Sequence, residues 1–403
     1  MPLTDLQRRV VDDLAARGDD MLRELAEHVA IATGKGFEPG LNQYRDLLIA
    51  RLERLTPTID RIPGAPRPAW IDFSPRPRTA QPPITIVARH PANNALPRLL
   101  LAGHIDTVHD PDGPFNALII APDGKTARGP GAVDMKGGIL IALHALEALH
   151  RCGAALNWSF LLNSDEETGS FHSDPALEVE ARRHDFGLAL EPALPGGALA
   201  VERMGSGQFR IEVFGRSAHV GRDFASGVSA VTRLGQIIAE IGTWPRPEEG
   251  VIINIGPLKG GGVTNAVADY AACWGNVRFA DERAAAELES KLLALATAAE
   301  AEAMPRVVVQ HRWNRPAKPL TPGTQQLADA ARRAAESLGQ SLPFTKTGGV
   351  CDGNILQHAG LPTIDTLGVR GGGLHTTDEW IEIPSLVERS QLLAVLMLQL
   401  AGM

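Results

Sequence analysis

Apolar residues in the first sixty positions recur at intervals of three, four and eight residues. Such spacing places them on one face of amphipathic helices. The residues concerned are Val11, Leu14, Leu22, Leu25 and Val29. The pattern therefore predicts helices across residues 1–60, and a proline-rich stretch over 63–83 ends it.

Short apolar runs follow this stretch and alternate with helical segments. The runs are ITIVA (84–88), RLLLAGHID (98–106), WSFLLN (158–163) and FGLALE (186–191). Their length and composition predict buried strands, and residues 135–152 predict a helix crossing between two of them. This βαβ arrangement indicates an α/β fold with a mostly parallel central sheet flanked by helices.

The pattern changes beyond about residue 204. The next elements are the alternating strand QFRIEVFGR (208–216), a helix over 226–243, the strands VIINIG and YAACWGNVRF, a helix over 281–303 and the strand RVVVQHRW (306–313). This order predicts a two-layer α+β domain whose antiparallel sheet is covered on one face. Residues 321–403 return to helix, loop, helix, strand and closing helix, so we interpret 204–314 as a domain inserted into a main domain of 1–203 and 315–403.

The composition is that of a globular protein. Its 403 residues suit two domains, with 44% hydrophobic and 21% charged residues. A net charge of −8 without a basic stripe argues against nucleic-acid binding. The start of the chain lacks the apolar core of a signal peptide, no run approaches the roughly 20 apolar residues of a membrane span, and three scattered cysteines make no disulfide framework. We expect a cytoplasmic protein whose partner is a small molecule rather than a nucleic acid or a membrane.

Six acidic and imidazole residues lie near the ends of predicted strands. In chain order they are His104, Asp134, Glu166, Glu167, Glu191 and His375. Functional groups of open α/β sheets collect at the carboxyl ends of the strands. Imidazole and carboxylate ligands suit zinc and admit cobalt or manganese. The set therefore predicts a two-metal hydrolase centre.

Charge counting favours two divalent ions per chain. A shared Asp134, the terminal carboxylates Glu167 and Glu191 and the imidazoles His104 and His375 bring three negative charges against four positive ones, and a bridging hydroxide balances them. Without cations, so many carboxylates in one cleft would repel one another and take up protons. A protein with a single or structural metal ion is the alternative.

Asp106 and Glu166 complete the predicted chemistry. Asp106 follows His104 by two residues, so in an extended chain both side chains point the same way and Asp106 accepts the second ring N–H. Glu166 stays free when its neighbour Glu167 is a ligand, and we expect it to be the general base that takes a proton from metal-bound water. Each feature alone has a simpler interpretation, a hydrogen-bonded histidine at a strand end or a solvated acidic turn.

With these residues in place, the chain resembles the dinuclear zinc family of acetylornithine deacetylase, succinyl-diaminopimelate desuccinylase and glutamate carboxypeptidase. The matching stretches, in family order from about residue 100 to 380, are GHIDTV, GPGAVDMKGG, NSDEETGS, LEP, GRSAHVGRDFASGVSA, GGVTNAVADYAACWGNVRF, TGGVCDGNILQHAGLPTIDTLG and GGGLHTTDEW. The resemblance implies that Asp134 bridges the ions, that His104 and Glu191 complete one site and Glu167 and His375 the other, and that Glu166 is the base. It also implies a cis peptide bond after Asp134.

The resemblance further implies that the main domain is a metallohydrolase catalytic domain and the inserted one its lid and dimerisation domain. His219 is similar to a histidine that reaches the neighbouring subunit's site and stabilises the oxyanion. Asn265 resembles a substrate-contacting asparagine, and Arg278 an arginine that takes a substrate carboxylate, which its guanidinium suits. In isolation, His219 and Asn265 are also explained as capped turns and Arg278 as a surface charge. A homodimer is expected.

The leading hypothesis is hydrolysis of an amide next to an amino-acid carboxylate. Glutamate-carboxypeptidase-like activity stands ahead of N-acyl amino-acid deacylation because GSFHSD and TGGVCDG resemble that branch. A non-catalytic binding protein of the same fold is the rival, and the presence of Glu166 and of every ligand argues against it. Two departures from the family pattern bear on the substrate. The sequence offers no match for a lysine that some glutamate-specific members use, and whether Arg203 replaces it is open. Cys351 lies where relatives carry a GGTSD-like run. A metal centre makes a cysteine nucleophile unnecessary, so we expect Cys351 to be structural.

Overall fold

The structure, a computed structural model, describes residues 2–55, 58–73, 81–91, 95–297 and 304–403. Its helices are α1 (Asp5–Ala15), α2 (Gly18–Val29), α3 (Glu38–Leu52), α4 (Gly137–Arg151), α5 (Asp174–Ala181), α6 (Ala230–Ile241), α7 (Glu282–Ala294), α8 (Pro322–Ser337), α9 (Asp352–His358) and α10 (Ser385–Leu400). Its strands are β1 (Thr58–Ile62), β2 (Thr85–His90), β3 (Arg98–His104), β4 (Ile119–Ile120), β5 (Thr126–Arg128), β6 (Asn157–Asn163), β7 (Phe186–Ala189), β8 (Leu199–Arg203), β9 (Gly205–Phe214), β10 (Ile252–Gly260), β11 (Tyr270–Phe279), β12 (Arg306–Arg315), β13 (Phe344–Thr347), β14 (Thr363–Ile364), β15 (Gly371–Gly372) and β16 (Trp380–Glu382).

The central sheet has the strand order β1-β2-β6-β3-β7-β14. Strands β6, β3, β7 and β14 run parallel to one another, and β1 and β2 add an antiparallel edge. Helix α4 connects the parallel strands β3 and β6 across one face. The predicted α/β class with a mostly parallel sheet is therefore confirmed.

Both faces of the sheet are buried, as the leucines of β3 illustrate. Leu99 and Leu101 belong to a core shared with α1–α4, α8 and α10. Leu100 and Ala102 belong to a second core on the opposite face, against α5 and α9. Successive side chains of a strand point to opposite faces, so a strand covered by helices on both sides is apolar at every position.

A separate antiparallel sheet has the order β10-β11-β9-β12. Phe209, Ile211 and Val213 alternate along β9 and pack with Ile237 of α6 and Leu288 of α7 in a core of their own. This is a two-layer arrangement with helices on one face of the sheet. Strand β10 lies at one edge.

Several predicted boundaries differ from the structure. Residues 58–60 are not helical, because helical spacing stops after α3 and Thr58–Ile62 pairs antiparallel with β2. Helix α4 begins at Gly137 rather than at residue 135, because Asp134 and Met135 lie in a five-residue turn with non-helical dihedral angles. Helix α7 starts after the capping side chain of Asp281, and residues 298–303 of its predicted extent lie outside the described residues, as do 74–80 of the proline-rich stretch.

The carboxyl edge of the sheet carries the candidate chemistry. His104 is the last residue of β3, and the turn Glu166–Thr168 follows β6. At the opposite edge, where β3 and β6 begin, lies a cleft of about 760 Å³ that contains none of the predicted site residues. Across the described part of the chain, the helices are too short or too polar to cross a membrane. The cytoplasmic location stays a prediction.

Candidate metal centre

Five segments bring the predicted ligands to one place. His104 ends the parallel strand β3, Glu191 follows the parallel strand β7, and Glu167 lies in the turn after β6. Because parallel strands end at the same edge of a sheet, these side chains lie together. The turn before α4 contributes Asp134, and the loop between β15 and β16 contributes His375, which has a left-handed backbone with φ of 63°.

Asp134 lies between two sets of ligand atoms. Its Oδ1 is 3.1 Å from Nε2 of His104, and its Oδ2 is 3.5 Å from Nε2 of His375. The His375 nitrogen is also 3.2 Å from Oε2 of Glu167. The donor atoms of His104, Asp134 and Glu191 lie within 4.8 Å of one another, as do those of Asp134, Glu167 and His375. One carboxylate is therefore shared by two groups of three ligands.

Burial and hydrogen bonds within the cluster raise the pKa values of Glu167, Glu191 and His375. Burial raises the pKa of Glu191 well above its ordinary value and also raises the pKa of Glu167. Hydrogen bonds to Asp134 and Glu167 raise the pKa of His375 to about 10. Carboxylates that share one site take up protons unless cations compensate their charge. Two divalent ions would supply that compensation.

The donor set fits two divalent ions. Each group offers one imidazole nitrogen and two carboxylates, ligands that zinc accepts. Among the described residues, Oε1 of Glu167 is buried without a hydrogen-bond donor, so an acceptor is available in the cluster. The Asp134–Met135 peptide bond is cis, as the resemblance implies.

Asp106 connects the histidine with the acidic turn. Nδ1 of His104 lies 3.0 Å from the backbone oxygen of Asp106 and 3.5 Å from its carboxylate oxygen Oδ1. The nearest acceptor for the second ring N–H is thus the carbonyl of Asp106. The Asp106 carboxylate instead accepts the backbone N–H groups of Glu166 at 3.2 Å and Glu167 at 3.0 Å.

Glu166 lies outside both ligand groups and beside an arginine. Nη2 of Arg315 donates to Oε1 of Glu166 at 2.8 Å and lies 3.3 Å from an oxygen of Asp352. Burial raises the pKa of Glu166 to about 7, although the positive charge of Arg315 opposes this shift. A carboxyl group with a pKa near neutrality is suited to accept and return a proton at neutral pH.

Two buried residues of the site have no counterpart in the sequence analysis. Arg315, at the end of β12, is 1% exposed, and Glu379, before β16, is also 1% exposed. The Glu379 carboxylate accepts backbone N–H groups within residues 131–134. The only sequence signal for Glu379 is its place four residues after His375, and the NRP run at 314–316 offers none for Arg315.

Arg278 of β11 faces the same region from the inserted sheet. It is partly buried, and among the described residues its Nη1 has no acceptor. Burial lowers its pKa, the charge of Arg315 lowers it further, and Glu166 acts in the opposite direction. Arg278 therefore lies within electrostatic reach of Glu166 and presents an unused N–H.

His219 and Asn265 lie on neighbouring loops of the inserted domain. Val220 donates its backbone N–H to the carbonyl of Asn265 at 3.0 Å, and Gly221 donates to Nδ1 of His219 at 3.1 Å. Both side chains are exposed. Neither belongs to the two ligand groups of this chain.

Arg203 and Cys351 have structural partners. Arg203 donates to Asp365 at 2.7 Å and to the carbonyl of Gly349 at 3.1 Å. Cys351 is buried, and burial raises the pKa of its thiol well above the ordinary value, which favours the protonated form. These contacts favour structural roles for both residues.

The fold and the site define a metal-dependent peptidase or amidohydrolase. The model of peptidase family M20/M25/M40 matches residues 100–399, and the chain belongs to this family.

Individual relatives agree with this assignment. Carboxypeptidase G2 of a Pseudomonas species is 27% identical over 391 residues, which cover 95% of this chain and 89% of that protein. Succinyl-diaminopimelate desuccinylase of Methylorubrum populi is 31% identical over 319 residues, covering 72% and 79%. The solved structure of YXEP from Bacillus subtilis, described as a dinuclear metal binding peptidase, has a TM-score of 0.66 at 16% identity and covers 96% of this chain and 99% of that one.

Proposed function

We propose that the chain hydrolyses an amide bond next to an amino-acid carboxylate with the help of two divalent ions, in the manner of a glutamate carboxypeptidase. The observation that carries the proposal is the position of Asp134, whose two oxygens face separate histidines while Glu166 stays outside both ligand groups. The likeness to carboxypeptidase G2 along 95% of the chain supports the choice of reaction.

His104, Asp134 and Glu191 would hold one ion, and Asp134, Glu167 and His375 the other. We propose zinc, with cobalt or manganese as alternatives, because imidazole and carboxylate ligands accept all three. Bound there, the ions would polarise the amide carbonyl and activate water.

The protein's own side chains transfer the proton and bind the substrate. Glu166 takes a proton from the attacking water and returns it to the amide nitrogen as the carbon–nitrogen bond breaks. Its pKa near 7 suits both directions of this transfer. The unused N–H of Arg278 binds the carboxylate of the amino-acid part, and Asp106 keeps Glu166 and Glu167 in position through their backbone N–H groups.

We further propose that residues 204–314 form a lid and dimerisation domain on a catalytic domain of 1–203 and 315–403. The inserted domain exposes a set of apolar side chains that a second copy would cover: Val220, Phe224, Val231, Ile252, Leu258 and Val263. Strand β10 lies at the edge of its sheet, where another strand can pair. In such a homodimer, His219 and Asn265 of one protomer serve the substrate site of the other.

N-acyl amino-acid deacylation is the second candidate. The likeness to a succinyl-diaminopimelate desuccinylase at 31% identity favours it. The two activities share the metal centre and differ in the acyl group that is cleaved from the amino acid.

Paired substrates test the proposal. The protein loaded with zinc, cobalt or manganese is assayed with N-acyl amino acids and dipeptides, each beside a matched compound whose terminal carboxylate is a carboxamide. We expect hydrolysis of the carboxylates and at least about tenfold lower kcat/KM for the carboxamides, because a charged hydrogen bond is lost. Equal rates on both members of each pair, or no hydrolysis of any pair, would overturn the proposal.

A further inference from the structure

The run DGN at residues 352–354 begins helix α9, and neither of the two ligand groups contains its residues. Asp352 is 3% exposed and Asn354 is fully buried. Buried polar side chains are stable only when hydrogen bonds replace their contacts with water. The partners of these two side chains therefore indicate what α9 holds in place.

The side-chain amide of Asn354 binds the chain on both sides of the inserted sheet. Nδ2 donates to the carbonyl of Met204 at 2.9 Å and to that of Pro316 at 2.7 Å. Met204 directly precedes β9, and Pro316 directly follows β12. Oδ1 accepts the backbone N–H of Cys351 at 3.1 Å, which fixes the amide to the start of α9. One buried amide thus holds the two points at which the chain enters and leaves the inserted sheet.

The carboxylate of Asp352 lies between the central sheet and the end of β12. Oδ2 accepts an N–H from Nδ2 of Asn163 at 2.5 Å, and Oδ1 accepts the hydroxyl of Ser170 at 2.5 Å. Both of these donors are neutral. Oδ1 also lies 3.3 Å from Nη2 of Arg315, the last residue of β12. Arg315 therefore supplies positive charge to a buried carboxylate, which compensates the cost of removing that charge from water.

Arg315 uses the same nitrogen for Asp352 and for the general base. Nη2 donates to Oε1 of Glu166 at 2.8 Å and to the backbone carbonyl of Glu166 at 3.3 Å. Within the described ranges, Nε and Nη1 of this buried guanidinium have no acceptor. Its position therefore depends on Glu166 and Asp352 together. Without Asp352, the guanidinium could turn about its remaining contact with Glu166.

We propose, resting on the proposed function, that Asp352 is a positioning residue for the general base. Asp352 holds the guanidinium of Arg315, and Arg315 holds Oε1 of Glu166. Fixing one carboxylate oxygen also fixes the direction of the other, and a base must lie within hydrogen-bond reach of the proton that it takes. Asn354 contributes by fixing the chain next to Arg315.

Replacing Asp352 with asparagine removes the charge and keeps the size of the side chain. We expect the zinc-loaded variant to lose about 10–100-fold in kcat on an N-acyl amino acid, because the base is misplaced. KM should stay within about twofold and both ions should remain bound, because the ligands are intact. In a Glu166→Gln background, Asp352→Asn should lower kcat by less than about twofold, because the group that it positions is already absent.

Two further variants accompany this comparison. Arg315→Gln breaks the same link from the other side, so it should show the same dependence on Glu166 and replaces Asp352→Asn if that variant does not fold. Glu180→Gln is the matched control, because Glu180 is a buried carboxylate paired with Arg89 at the opposite edge of the central sheet. It should leave kcat within about twofold in both backgrounds.

Each outcome decides for or against the positioning role. Equal losses of kcat with and without Glu166 would mean that Asp352 does not act through the base. A rise in KM at unchanged kcat would make Arg315 a substrate contact, which also overturns the proposal. If the wild type itself hydrolyses no substrate, the proposed function fails, and crystal structures of the zinc-loaded wild type and Asp352→Asn decide separately. An Arg315 displaced from Glu166 in the variant retains the positioning role, and an unmoved Arg315 rejects it.

Discussion

The carboxylate of Glu379 accepts the backbone N–H of Asp134 at 3.0 Å. It also accepts the N–H of Gly131 at 2.9 Å and that of Val133 at 2.8 Å, and its Oε2 lies 2.5 Å from Nε2 of His109. One buried side chain therefore fixes the turn that aims Asp134 between the two ligand groups. Such support behind a ligand contributes to metal affinity although it never contacts the ion.

Replacing Glu379 with glutamine is expected to weaken metal binding by about 10–100-fold without unfolding the protein. The amide keeps one oxygen acceptor but points an NH₂ group at backbone donors. Competition with a chelator of known affinity measures the effect. Glu382→Gln is the control, because Glu382 pairs with Arg370 near the surface, and equal losses in both variants would contradict the role of Glu379.

Replacing each of the two adjacent glutamates in turn should distinguish the general base from the metal ligand. Glu166→Gln is expected to keep both ions and lose at least about 10²-fold in kcat, because the proton acceptor is gone. Glu167→Gln is expected to lose an ion, since Glu167 lies 3.2 Å from His375 within a ligand group. Metal analysis and kcat are measured on the same samples. The opposite pattern would mean that the two roles are exchanged.

A heterodimer of two inactive chains tests whether His219 acts across the interface. His219→Ala alone should cost about 10²–10³ in rate, as for other lost oxyanion donors. Co-expression of His219→Ala and Glu166→Gln chains with different tags isolates the mixed dimer, in which one site has both an intact Glu166 and a histidine from its partner. Recovery of about half the wild-type activity is expected. A mixed dimer that stays inactive would place His219 in its own subunit's site, and unchanged activity of His219→Ala alone would place it outside catalysis.

Acid should destabilise the metal-free protein through His28. This histidine is 2% exposed, and burial lowers its pKa to about 3. Between pH 6.5 and 3 the unfolded chain binds a proton that the folded one does not, so the free energy of unfolding falls as the pH falls. In the presence of a chelator, the free energy of unfolding measured in urea should fall from pH 6.5 to pH 5. This fall should be smaller in His28→Gln by up to about 2 kcal/mol. The exposed His150→Gln should behave like wild type, and an unchanged drop in His28→Gln would contradict the assignment.

The local pattern was sufficient to predict the layers and the candidate ligands that lie together at the carboxyl edge of the sheet. Leu99, Leu100 and Leu101 form a continuous apolar run in β3 because helices cover both faces of the sheet. His104 and Glu167 lie at the carboxyl ends of neighbouring parallel strands. These signals depend on neighbours in the chain. Strand β1 was not predicted. It is a half-exposed edge strand, and its extended conformation depends on pairing with β2, which is remote in sequence.

The supporting residues were not predictable because their partners are remote in sequence. Arg315 binds Glu166 across 149 residues, Glu379 binds Asp134 across 245 and Arg45 binds Ser164 across 119. A lone arginine or glutamate has no periodicity that distinguishes such a contact from a solvated surface charge. Only the packing of the inserted sheet, of α3 and of the loop before β16 against the carboxyl edge brings these pairs together.

A zinc titration shows whether two ions share Asp134. Chelator-treated protein is titrated with zinc while bound metal and amidohydrolase activity on an N-acyl amino acid are followed together. We expect activity to rise until two equivalents per chain are bound, and Asp134→Ala to bind neither ion tightly because both ligand groups lose a carboxylate. A single equivalent at full activity, or two ions retained by Asp134→Ala, would contradict the account.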